Sequence, residues 1–89
     1  MEKIDTLRKR LLYHSQHRGI KEMDMILGGF AEQSLQTMSH KELLQFKDLL
    51  AFPDQDLYSW FFERAPIPEN APRELIEIIT LTSGINWGI

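Results

Sequence analysis

Apolar residues recur along this chain at threes and fours, and no stretch alternates between apolar and polar in the manner of a strand. Ile4, Leu7 and Leu11, with Leu12 beside them, predict a first helix over about 5–15. Gly19 then breaks or turns the chain, and Met23, Ile26, Leu27, Phe30 and Ala31 mark a second helix over about 20–33. Ser39-His40-Lys41-Glu42 has capping-box form, the Ser39 hydroxyl accepting from the Glu42 N–H while that carboxylate reaches back. It opens a third helix, 40–51, with Leu43, Phe46 and Leu50 on one stripe and Leu49 beside it. Pro53-Asp54 ends that helix and caps a fourth, 55–63, whose core face is Leu57, Trp60 and Phe61 and which Pro66 and Pro68 stop. Asn70-Ala71-Pro72 starts a fifth, 71–82, lined by Leu75, Ile78, Ile79 and Thr82 and ended by Ser83-Gly84. The tail, 84–89, is apolar without a period and is expected to be flexible. The expected fold is all-α: one domain over 1–89, a compact bundle of about five short helices.

Composition narrows the chemistry. Eighty-nine residues suit one domain, and the apolar and charged fractions are those of a globular protein. Cysteine is absent, which excludes disulfides, a thiolate nucleophile and Cys-ligated metals. The N-terminus has acids at Glu2 and Asp5 and no apolar stretch behind them, unlike a secretory or transit segment. The longest purely apolar run, Met25 to Ala31, is far short of the ~20 residues a bilayer span needs, so no membrane insertion is expected. No serine lies in a nucleophile-elbow setting, and Gly28-Gly29 lies within a helical pattern and not in a phosphate-binding loop. His14 and His17 could share a metal at their i, i+3 spacing. No acid flanks them and only His40 lies elsewhere, so neither a metal site nor a catalytic residue is expected.

Charge is unevenly spread. Residues 1–21 carry a net +4 and residues 22–89 a net −7, a basic first helix on an acidic body. The richest segment is His17-Arg18-Gly19-Ile20-Lys21-Glu22-Met23-Asp24, where the first two helices join. A positive φ at Gly19 would allow a sharp turn, and with Gly19 as N-cap, Glu22 stands at N3 facing the positive helix end. An Arg18–Glu22 ion pair is the plain structural reading of the same residues. Around the second helix, Glu22 points away from the core stripe, Gly29 lies near it one repeat later, and Met25 flanks that outward face. Asp24 lies at the edge of the core stripe, with Gly28 one turn beyond. A mid-helix glycine pair implies close approach of another helix or of a partner.

Arg18-Gly19-x-x-Glu22 followed by Asp24 resembles the RGxxE signature of the SdhE-type FAD assembly factors of succinate dehydrogenase. Asp54-Gln55-Asp56-Leu57-Tyr58-Ser59-Trp60 is similar to that family's acidic-capped DxDLxxW helix, and the resemblance runs from about Leu7 to Leu81. The chain departs from the pattern at Gly29, where relatives often carry a larger polar residue, and in the tail after Ser83. The resemblance implies a dedicated chaperone and not an enzyme. It would bind the flavoprotein subunit of succinate dehydrogenase, or of fumarate reductase, and promote covalent attachment of FAD to a histidine of that subunit. It would hold no cofactor stably itself. Carried over residue by residue, Arg18, Gly19, Glu22 and Asp24, with Met25 beside them, would form the contact. Asp54, Asp56, Leu57 and Trp60 would build the scaffold. A monomer is expected, in the bacterial cytoplasm or, if a presequence has been removed, in the mitochondrial matrix. Two other readings stay open. One is a helical adaptor with a different client. The other is a small nucleic-acid binder using the basic first helix, against which stand the overall acidity and the lack of base-reading side chains among the basic residues.

Overall fold

The computed structural model describes residues 3–82 of the chain; the Ser83-Gly84 stop and the 84–89 tail lie outside the described residues. Five α-helices follow one another: α1 (Ile4–Ser15), α2 (Lys21–Ser34), α3 (His40–Leu50), α4 (Asp54–Phe61) and α5 (Arg73–Thr82). A short 3-10 turn, Leu35–Thr37, carries the chain out of α2 and was not anticipated from the periodicity. The helices form where the threes-and-fours pattern put them, with ends displaced by a residue or two.

α2 is the central element. It packs against α1, α4 and α5, while α3 lies against α1 and α4 against α5. Its burial follows from its sequence, since Met23, Ile26, Leu27, Gly28, Phe30 and Ala31 are all buried and wrap well over half the helix surface. Leu7 and Leu11 of α1, Phe46 of α3, Leu57 and Phe61 of α4 and Ile79 of α5 close the same core. Ile4, expected inside, is exposed at the frayed start of α1. Ser15 is fully buried there, its hydroxyl donating to the Leu12 carbonyl at 2.8 Å.

Two stripes are rotated from their expected positions. In α3 the buried set is Leu43, Phe46 and Leu49, and Leu50 is half-buried because the helix ends there and turns away. In α5 the buried set is Leu75, Ile76 and Ile79, whereas Ile78 and Thr82 are exposed. Two apolar stripes are available on α5, and docking against α2 and α4 selects the one containing Ile76. The core face of α4 is as expected, with Trp60 meeting Phe52 edge-on at 5.1 Å between ring centroids. Glu63, just past α4, takes a left-handed φ of 53°, and the Arg64 N–H donates to the Ser59 carbonyl at 2.7 Å, closing that helix end.

A clamped junction and an exposed helix face as candidate docking site

The junction of α1 and α2 is held by two carboxylates. The Asp24 carboxylate, one turn into α2, accepts from the Arg18 backbone N–H. Asp54, at the start of α4, accepts from the Gly19 N–H at 2.7 Å through Oδ2 and from Arg18 Nε at 2.7 Å through Oδ1. The rest of the Arg18 guanidinium is used as well: Nη1 donates to the Leu50 carbonyl at 2.7 Å and Nη2 to the Phe52 carbonyl at 2.9 Å. Those carbonyls belong to the C-terminal end of α3, where helix geometry leaves acceptors without intrahelical donors. Arg18 thus caps α3, pairs with α4 and orders the loop before α2. Only 13% of its side chain and 16% of that of Asp54 are exposed. A planar guanidinium can serve three acceptors in fixed directions, which an ammonium cannot.

Several expectations for this segment are corrected by that geometry. Gly19 is not the N-cap of α2: Ile20 is, in extended conformation at φ −126°, so Glu22 stands one position nearer the helix start. Nor does Gly19 take a left-handed φ; glycine is required because a Cβ there would stand 2.9 Å from Asp54 Oδ2. Arg18 pairs with Asp54 and not with Glu22, because the guanidinium lies under the α3 terminus and Glu22 projects outward. Asp54 is the first residue of α4 and makes no cap bond to its own helix; its carboxylate is turned toward the junction.

The remaining site residues separate cleanly. Glu22 is exposed and Met25 is 66% exposed, one turn further along α2. Gly29, on the same face, has nothing within 4 Å of where its Cβ would stand. Gly28 faces the other way, and a Cβ there would meet Gln16 Cγ at 3.0 Å, so this glycine sets the α1–α2 approach. Asp24 is half-buried, Asp56 is exposed in the first turn of α4, and Leu57 and Trp60 are buried. Sequence reasoning missed Arg8, which repeats the Arg18 device: its Nε donates to the Leu35 carbonyl at 2.9 Å and its Nη2 to the Met38 carbonyl at 3.0 Å. No local pattern distinguishes Arg8 from Lys9 and Arg10, so only its position beside the apolar Leu7 and Leu11 hinted at it.

A shallow groove of about 430 Å³ opens beside the clamp, with Arg10, His14 and His17 on one side and Lys47 on the other. Among the described residues no group of three His, Asp or Glu converges as metal ligands, and no helix is long and apolar enough to cross a membrane.

Residues 9–82 match the sequence model of a family described as the flavinator of succinate dehydrogenase. A FAD assembly factor SdhE from Acetobacter pasteurianus is 36% identical over 81 residues, covering 91% of this chain and 74% of its own length. The mitochondrial succinate dehydrogenase assembly factor 2 of Dictyostelium discoideum is 34% identical over 79 residues, 89% of this chain and 56% of that protein. The zebrafish (Danio rerio) protein of the same name is 40% identical over 80 residues, 88% and 51% of the two lengths. The chain thus spans about half the length of these mitochondrial relatives. The matched stretch contains the whole clamp, from Arg18 to Asp54, together with the exposed face of α2, and the chain belongs to the succinate dehydrogenase flavinator family.

Proposed function

We propose that this chain binds the flavoprotein subunit of succinate dehydrogenase and promotes covalent attachment of FAD to it, as an assembly factor that contributes no catalytic group. The family membership supports the activity. The observation that carries the docking site is the division of labour in the RGxxE segment. Arg18 and Gly19 are consumed by the clamp, while Glu22, Met25 and Gly29 form one outward face of α2 with no bonded partner. A carboxylate, a deformable thioether and a spot without a side chain give a partner's backbone room to approach. The clamp keeps this face rigid, so little conformational entropy is lost on docking. Arg18, Gly19 and Asp24 act in binding through that rigidity, and Asp54, Asp56, Leu57 and Trp60 through the scaffold beneath it.

Bound in this way, the factor favours the client conformation in which a histidine stands against the flavin. Orientation of that kind lowers a barrier by several kcal/mol, of the order of ~7 or more in the best intramolecular cases, without donating a proton or a nucleophile. FAD belongs to the client throughout. The same reading extends to the flavoprotein of fumarate reductase, with the factor acting as a monomer in the bacterial cytoplasm or the mitochondrial matrix. Glu22→Ala tests it: its melting temperature should stay close to wild type, a loss of at most ~1 kcal/mol from the helix-end charge, while client binding collapses. Covalent flavin fluorescence of the client in a denaturing gel, at limiting factor, reads the outcome. Normal flavinylation by this variant would remove the α2 face from the mechanism.

A further inference from the structure

We infer that the groove beside the clamp is a second contact, seating a carboxylate-rich segment of the protein partner; the inference rests on the proposed client binding and adds the chemistry of a neighbouring surface. The groove is floored by Leu11 and Leu50, flanked by Arg10, His14 and His17 from α1 and the residues after it, and faced by Lys47 from the last turn of α3. Among the described residues its only carboxylate is Asp54, already bound to Arg18 and to the Gly19 N–H. The open wall is therefore cationic, on a chain whose net charge is −3. An acidic approach is repelled by most of this surface and drawn to this groove, which fixes orientation as well as rate.

The occupant's form follows from what the groove lacks. A site for one small anion presents converging backbone N–H groups or a buried donor aimed inward. Here the two junction N–H groups are consumed by the chain's own Asp24 and Asp54, and no buried side-chain N or O among the described residues is without a partner. What remains is a set of exposed side chains spread along a trough, with His14, His17 and Lys47 all solvent-facing. That arrangement suits several carboxylates spaced along a peptide over a single phosphate. Gly19 lines the same groove and lies three residues from Glu22, so one partner can cover both surfaces.

The test uses the full chain and the purified apo flavoprotein subunit of succinate dehydrogenase. Lys47→Glu, with Lys47→Gln as a milder variant, should weaken binding roughly tenfold at low salt, and the deficit should close as salt rises. Carbodiimide treatment of the wild-type complex should couple Lys47 to an aspartate or glutamate of the subunit, identified by mass spectrometry. Wild-type affinity for both Lys47 variants, alongside loss of binding by Glu22→Ala, would overturn the groove assignment and leave the proposed function standing. So would coupling only through other lysines such as Lys21. Inorganic phosphate that saturates the His14 and His17 ring resonances at submillimolar concentration would make the groove a small-anion site and also overturn it. Failure of the wild-type chain to bind the subunit removes the proposed function, and this inference with it.

Discussion

Gly28 and Gly29 are neighbours in α2 but are required by different surroundings. A Cβ on Gly28 would press on Gln16 Cγ at 3.0 Å, so that glycine serves the α1–α2 contact. Gly29 has open space around it and gives the isolated fold nothing in return for its flexibility. Gly29→Ala should therefore raise stability by about 0.5–1 kcal/mol, whereas Gly19→Ala should lower it. At Gly19 the added methyl would stand 2.9 Å from Asp54 Oδ2, and moving that oxygen breaks a charge-assisted bond to the Gly19 N–H, a loss of about 1–3 kcal/mol. Urea unfolding of the two variants beside wild type measures both signs. A neutral Gly19→Ala would show that Asp54 can shift without loss. The sequence made Gly19 conspicuous but suggested a left-handed turn; the tight neighbour comes from residue 54, which no local window contains.

At the scale of the element, α3 shows what a short window can reveal. The Ser39 hydroxyl accepts from the Glu42 N–H at 3.2 Å and the Ser39 N–H donates to Glu42 Oε1 at 2.8 Å, as the four-residue pattern indicates. The backbone N–H of Ser39, then its hydroxyl, hold the Glu42 carboxyl below its ordinary value. Because the folded pKa is the lower one, this contribution is present at neutral pH and is lost as pH falls through the carboxylate range. Ser39→Ala should cost about 1 kcal/mol at neutral pH and raise the Glu42 pKa only part of the way, since the backbone donor survives. Titration of the Glu42 side-chain carboxyl by NMR follows that shift, and an unchanged pKa would mean that the hydroxyl has no part in it. The same helix also shows the limit of such windows. Whether Leu49 or Leu50 faces inward depends on how the chain leaves α3, and whether α5 buries Ile76 or Ile78 depends on α2 and α4. Periodicity finds an apolar stripe; a neighbouring helix chooses between two.

Across the whole molecule, the two sequence motifs prove to be one structure. Glu22 and Met25 are outward-facing, as helical projection from the core stripe suggested, because that argument needs only residues within α2. The role of Asp54 was not legible: a carboxylate after a proline reads as a cap, and nothing nearby reveals that it bonds residues 18 and 19. Asp54→Ala would leave the largely buried Arg18 charge without its carboxylate, and should cost about 2–4 kcal/mol, a large part of the stability of a domain this size.

Sequence distance gives the clamp a further consequence, in the order of folding events. Arg18 reaches the Leu50 and Phe52 carbonyls and Asp54 across 32, 34 and 36 residues, so its bonds form only after that long loop has closed. The contact of α1 with α2 needs a much shorter closure and can be made earlier. The clamp then forms on the native side of the rate-limiting barrier, where its loss speeds unfolding and leaves refolding nearly unchanged. In stopped-flow experiments the Asp54→Ala variant should shift the unfolding limb of the chevron upward with the refolding limb in place. A slowed refolding limb would show the clamp already formed at the barrier. Latched late, the junction acts as a brake on opening, and the lifetime of the folded docking face is set by the rate at which Arg18 lets go.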